Sequence, residues 1–169
     1  MKTFYLAGGC FWCISDFFLM QDGVEDTRVG YSGGDEKDVT YEDVKAQKTG
    51  HRESVEVVYD ENVISLDQLV DLYFQYVDVL DDGGQGIDRG RSYSLALYYQ
   101  NQEEKDLFLK KALKVQESIG TCAHVTIAPF NFFIEAEEEH QHFSFKNPER
   151  FEEELKASNR LEHLSEKKK

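Results

Sequence analysis

Hydrophobic positions along the chain fall into two periods, one near 2 and one near 3.6. Thr3–Ala7 is a short apolar run ended by Gly8-Gly9, which predicts a buried strand. From Cys10 onward, Phe11, Ile14, Phe17 and Phe18 recur at helical spacing and stop near Gly23, so the first cysteine is placed where a strand turns into a helix. Ser54–Tyr59 alternates and is β-branched, which predicts a second strand. Ser65 and Gln68 have capping-box spacing ahead of an apolar stripe at Leu69, Leu72, Tyr73 and Tyr76, a helix. Tyr93–Tyr99 reads as a strand. Asn101 and Glu104 repeat the cap ahead of a helix carrying Leu107, Phe108, Ala112, Val115 and Ile119, which Gly120 stops. His124–Ala128 and Phe132–Ala136 read as two further strands. Asn147-Pro148 opens a last helix, with Glu149, Glu152 and Glu153 in its first turn and Lys167–Lys169 at the far end, as the helix dipole favours. Gly30–Gly34 and Asp82–Gly90 are glycine-rich loops.

Paired strands mixed with helices predict an α+β fold, a two-layer α/β sandwich with a mixed sheet. A doubly wound sheet ranks second, because strict alternation is lost after Gly120. The 169 residues hold only two prolines, no linker and no repeat, so one domain is expected over 1–169. Its core would span 1–148, with a C-terminal helix and basic tail over 149–169.

Charge and cysteine usage narrow the function. The formal net charge of −14 leaves little basic surface for phosphates, which argues against nucleic acid; the acidity reads as solubility rather than as a docking surface. No segment reaches the ~20 apolar residues of a membrane span. The start Met1-Lys2 leads straight into a strand, so a cytoplasmic protein is expected; a monomer is expected as well. Cys10, Cys13 and Cys122 are an odd set in a reducing compartment, which points to reactive or buried thiols rather than a disulfide framework.

The sharpest chemistry lies in Gly8-Gly9-Cys10-Phe11-Trp12-Cys13. Glycines permit a tight bend. A cysteine at a helix N-terminus meets unpaired N–H groups and the positive dipole end, which favour the thiolate. Exposed Phe11 and Trp12 beside it would form a pocket for an apolar group. Cys13, one turn on, is placed to attack a sulfur species formed on Cys10. The plainer alternative is a pair of ordinary buried thiols. Zinc held by Cys10, Cys13, His140 and His142 is a weaker one, since bulky Phe11 and Trp12 suit a metal knuckle poorly. Glu53, at the entry to the Ser54–Tyr59 strand, is a candidate buried acid, although spacing alone does not separate it from a solvated glutamate. Asp88, Tyr41 and Tyr93 are equally ambiguous taken singly.

Together these blocks resemble the peptide methionine sulfoxide reductase A family. The resemblance begins at Gly9-Cys10-Phe11-Trp12 and continues through Gly30-Tyr31-Ser32-Gly33-Gly34, Thr40-Tyr41-Glu42-Asp43-Val44 and Thr49-Gly50-His51-Arg52-Glu53. It resumes at Asp88-x-Gly90-x-x-Tyr93, Glu135-Ala136-Glu137, His140-Gln141 and Lys146-Asn147-Pro148, covering about residues 3 to 148 in the family's order. The resemblance implies a mixed-sheet sandwich with a ferredoxin-like core. It implies Cys10 as nucleophile, Phe11 and Trp12 as the cage for the substrate S-methyl group, and Glu53 as the acid at the sulfoxide oxygen. Tyr41 and Tyr93 match oxygen-binding tyrosines, and Asp88 an active-site aspartate. The implied substrate is methionine-S-sulfoxide, free or in polypeptides. No metal or organic cofactor is implied, and the implied reductant is thioredoxin or a similar dithiol. Where the family has Asn before the aspartate this chain has Ile87, and where it has Arg after the second tyrosine this chain has Ser94. Residues Val77–Asp82 replace a proline-containing stretch. Many members carry resolving cysteines in a C-terminal tail; this chain has none after Cys122 and resembles members with cysteine directly after Gly-Cys-Phe-Trp. A general Cys-x-x-Cys disulfide oxidoreductase and a zinc-binding module remain as alternatives.

Overall fold

The structure, a computed structural model, describes residues 1–157. The predicted basic tail at Lys167–Lys169 lies outside them. Six strands form one mixed sheet in the order β7-β6-β1-β3-β2-β8. They are β1 (Lys2–Gly8), β2 (Val24–Ser32), β3 (Arg52–Tyr59), β6 (Leu95–Tyr99), β7 (Val125–Pro129) and β8 (Ile134–Glu135). Only the β6–β7 pair is parallel. A two-stranded hairpin, β4 (Gly84–Gln85) and β5 (Asp88–Arg89), stands apart.

The succession β1, α1 (Phe11–Leu19), β2, β3, α3 (Leu66–Tyr76), β6, with β1 central and antiparallel to both β3 and β6, is the ferredoxin-like arrangement. α4 (Gln102–Ile119) returns the chain to add β7 beside β6, a crossover of the kind parallel pairs require. β7 is the edge, which is where Pro129 is tolerated. Period-2 alternation sorts the sheet faces. Phe4, Leu6, Val55, Val57, Leu95 and Leu97 enter the main core with Ile14, Phe18, Leu69, Tyr73 and Phe108 from the helices. Tyr5, Ala7, Ala96 and Tyr98 form a thinner cluster on the other face, covered by Phe130 and Phe133. The result is the expected two layers.

Several local readings need correction. Strand β2 was not expected: its Val-Glu-Asp-Thr-Arg start carries too many charges for a strand pattern, and pairing with β3 overrides propensity. Gly30–Ser32, expected as loop, is the end of that strand. α2 (Tyr41–Lys45), inside an unassigned stretch, is one short turn set by a Thr40–Asp43 capping box. Residues Arg91–Tyr93 form a 3-10 turn, so Tyr93 precedes its strand rather than opening it. The Phe132–Ala136 strand shrinks to two residues. Asp82–Gly90 is not all loop, since it holds the β4–β5 hairpin. α6 (Pro148–Ala157) starts as predicted.

Two contacts hold the site end of the sheet. The Tyr73 hydroxyl donates to the Ala7 carbonyl at 2.7 Å, pinning α3 to the last residues of β1. Ile14 of α1 packs directly over Gly8, where an added Cβ would meet its Cδ1 at 2.3 Å and displace that side chain.

Candidate active site

The chain leaves β1 through Gly9, whose φ of +85 suits glycine, and Cys10 becomes the N-cap of α1. Cys13 is then the third helical residue. N-cap and N3 side chains face each other, the geometry that lets capping-box residues meet. The two sulfurs are accordingly in hydrogen-bond contact. The Cys-x-x-Cys spacing therefore works because of where the helix starts.

The N-cap cysteine makes no side-chain cap bond. That task falls to Glu53, whose Oε1 accepts the Phe11 N–H at 3.1 Å. Glu53 is 2% exposed and is the second residue of β3, on the helix-facing side, with Val55 and Val57 behind it. The surroundings reverse the expected thiolate. Contact with Cys13, burial, and the charges of Glu53 and Asp88 push the Cys10 thiol well above its ordinary value. The physical reason is local: the donor that would favour a thiolate is already taken by Glu53, and a second acid stands near.

Three tyrosines gather about Glu53. Tyr31 is its cross-strand partner on β2. Tyr41 opens α2, and Tyr93 ends the 3-10 turn before β6. Burial and then the Glu53 charge push the Tyr41 and Tyr93 hydroxyls up, and the two are hydrogen-bonded to each other. They stand as protonated donors facing a carboxyl. Asp88 acts on Cys10 and Tyr93 from β5. Its hairpin is tied to the segment after α3 by the Arg89–Asp81 ion pair and by Gln85, which bonds both the Asp78 N–H and its carbonyl at 2.8 Å.

Phe11 and Trp12 are not the exposed aromatics the pattern suggested. They are 0% and 4% exposed, sealed in a stack of rings. Trp12 lies 3.8 Å from Phe143, nearly parallel, with the Arg150 guanidinium 5.0 Å from its ring. Tyr41 stacks on His140 at 4.2 Å. Trp12 Nε1–H donates to His140 Nδ1 at 3.2 Å, and burial draws the imidazole below its ordinary range. The cover comes from α5 (Phe143–Lys146) and α6, which no spacing near Trp12 reveals.

Cys10, Cys13, Glu53, Tyr41, Tyr93 and Asp88 are thus brought together, with Phe11 and Trp12 packed beside them. Glu137 joins the site without a role assigned from the sequence: its carboxylate accepts from the Tyr31 hydroxyl and the Tyr41 N–H, and its place in the Glu135-Ala136-Glu137 block is the one signal of it in the sequence. Cys122 is exposed in the turn before β7. Among the described residues, one group of metal-capable side chains converges, Glu137, Glu139 and His140, and it contains neither cysteine nor His142. No helix among the described residues is long and apolar enough to cross a membrane.

Known proteins resemble this chain in sequence and in fold. The family profile described as Peptide methionine sulfoxide reductase matches residues 2–169. The chain is 42% identical over 147 residues to the peptide methionine sulfoxide reductase MsrA of Bacillus velezensis, covering 86% of this chain and 83% of that protein. It is 40% identical over 162 residues to the Bacillus subtilis MsrA, covering 95% and 92%. Among solved structures it is similar to reduced Mxr1 from Saccharomyces cerevisiae, with a TM-score of 0.83 and 31% identity over 88% of this chain and 86% of that one. Methionine sulfoxide reductase A of Corynebacterium diphtheriae aligns with a TM-score of 0.78 and 30% identity, over 87% and 75%. On this evidence the chain belongs to the peptide methionine sulfoxide reductase family.

Proposed function

We propose that this protein is a thioredoxin-dependent peptide-methionine (S)-S-oxide reductase acting as a single-domain monomer in the cytoplasm, where dithiol reductants are available. The observation that carries the reading is the Cys10–Cys13 contact at a helix start capped by Glu53, faced by the hydroxyls of Tyr41 and Tyr93.

The sulfoxide oxygen takes the place between Glu53 and the two tyrosines, and its S-methyl group goes to the Phe11–Trp12 side. Glu53 takes up the proton that the Cys10 thiol gives up, and in becoming neutral it removes one of the charges that hold Cys10 in the thiol form. The Cys10 thiolate then attacks the sulfoxide sulfur while Glu53 delivers its proton to the oxygen. The hydroxyl passes from the substrate sulfur to the Cys10 sulfur as the substrate's sulfur–oxygen bond and the new sulfur–sulfur bond break, so that methionine leaves and Cys10 carries the oxygen as a sulfenic acid. The Cys13 thiol attacks that sulfur, a disulfide forms, and water leaves. A dithiol protein such as thioredoxin reduces the disulfide by exchange and is itself oxidised. Methionine sulfoxide and one dithiol thus give methionine, one disulfide and water. No organic cofactor or metal enters the scheme.

The test is consumption of separated R and S methionine sulfoxide epimers with dithiothreitol. Turnover confined to the S epimer supports the reading. Efficient reduction of a test disulfide with neither epimer consumed favours a general disulfide oxidoreductase.

A further inference from the structure

A second cavity, of about 530 Å³, opens on the other side of the turn that carries Tyr93. Its walls include Arg52, Arg91, His124, Ser94 and Thr126, with Asp82 as the acidic side chain in the lining. In a chain with a formal net charge of −14, this is a local reversal of sign.

Arg52 sets its character. It neighbours Glu53 on β3 but points to the opposite sheet face, and it is 5% exposed. Its Nε donates to Ser94 Oγ at 2.8 Å, Nη2 to Thr126 Oγ1 at 3.1 Å and Nη1 to the Tyr98 hydroxyl at 3.4 Å. These are neutral acceptors, and among the described residues they are the polar partners of this guanidinium. Buried charges are ordinarily matched by opposite charge, and a guanidinium has five N–H donors in a fork suited to a planar oxyanion. Arg91 stands on the same wall, its Nε donating to the Gly50 carbonyl at 3.0 Å. One acidic side chain in the lining and a strongly negative chain disfavour a dianion, so a singly charged carboxylate suits the cavity best.

The cavity also adjoins the chemistry. Ser94 lines it, while the preceding residue, Tyr93, faces Cys10 and Glu53. An extended polypeptide advances ~3.5 Å per residue, so one seated over Cys10 crosses this turn within a few residues.

We propose that the Arg52–Arg91 cavity is a carboxylate subsite that receives an Asp or Glu side chain flanking the methionine sulfoxide of a polypeptide substrate. This rests on the reductase reading above.

The test compares methionine-S-sulfoxide peptides of equal length carrying Glu or Gln at each position from two to four residues on either side. At one position Glu is expected to raise kcat/KM about tenfold over Gln. Arg52→Gln and the exposed-site variant Arg91→Gln should each bring that ratio towards one, and because the ratio is taken within each variant, a general loss of activity does not mimic the effect. Glutarate at fixed ionic strength should slow the Glu peptide to the rate of the Gln peptide without slowing the latter. A ratio of one at every position in the unaltered protein overturns the subsite and leaves the reductase reading intact. A preference that survives both variants and glutarate overturns it as well. Failure to reduce any of the peptides overturns the reductase reading instead.

Discussion

Glu53 Oε1 accepts the Phe11 N–H at 3.1 Å, so the acid of the site is also the cap of the helix that carries the nucleophile. One carboxyl holds the turn and stands at the reaction centre.

Separating these two tasks is therefore possible. Glu53→Gln keeps an acceptor for Phe11 N–H but has no proton to deliver. It should leave the melting temperature nearly unchanged and slow the single-turnover reductase step by about 10²-fold or more. Glu53→Ala should add a stability loss of about 1 kcal/mol for the missing cap. A Gln variant with the full single-turnover rate would remove Glu53 from the chemistry.

The three cysteines should behave differently. Cys10→Ser is expected to fold and to abolish sulfoxide reduction. Cys13→Ser should still release one methionine per chain and then stall with thioredoxin, whereas Cys122→Ser should keep cycling. Peptide mass mapping after one equivalent of sulfoxide reads the pairing directly. A Cys10–Cys122 bond, with normal cycling in Cys13→Ser, would make Cys122 the resolving residue.

Because Cys10 is pushed above its ordinary 9.0, it should remain a thiol where a free cysteine ionises. Between the unfolded and folded values the folded state holds the extra proton, so this group's contribution to stability is full below the unfolded value and lost as pH rises towards the folded one. Thiolate absorbance near 240 nm should appear for Cys10 only above pH 9, and Glu53→Gln should move its onset downward by removing one charge. An onset unchanged in that variant would show that Glu53 does not act on the sulfur.

His140 titrates in the opposite sense. Its folded value is lowered by burial, so its contribution is present above the ordinary 6.5 and lost as pH falls through the folded value. Trp12 is the chain's one tryptophan and bonds to that imidazole, so its fluorescence reports the loss. Unfolding free energy should fall more steeply below pH 6.5 in the unaltered protein than in His140→Gln, which retains an acceptor without titrating. Parallel slopes would argue that the ring stays neutral for another reason.

Much of this was legible in the residues, and unevenly so. The strand-to-helix turn at Gly8–Cys10, the caps at Ser65 and Asn101 and the helix stop at Gly120 are local signals, and the structure keeps them. β2 escaped notice because its identity is conferred by β3, not by its own charged start. Glu53 was visible only through its motif, since nothing in spacing distinguishes it from the many other acidic residues of the chain. The burial of Phe11 and Trp12 was invisible for a related reason: their cover arrives from Tyr41 and, from more than a hundred positions away, His140 and Phe143, and such distant contacts leave no periodicity to read. The thiol state of Cys10 was misjudged because the helix end was legible and its carboxylate neighbours were not.

The same ring stack and the cysteine pair beside it draw on very different lengths of chain. The two sulfurs are three residues apart and meet as soon as one helical turn exists. The aromatic enclosure needs segments from both ends of the chain and exists only when the last of them has docked. The dithiol is thus a property of one helical turn, and the aromatic enclosure beside it a property of the whole fold.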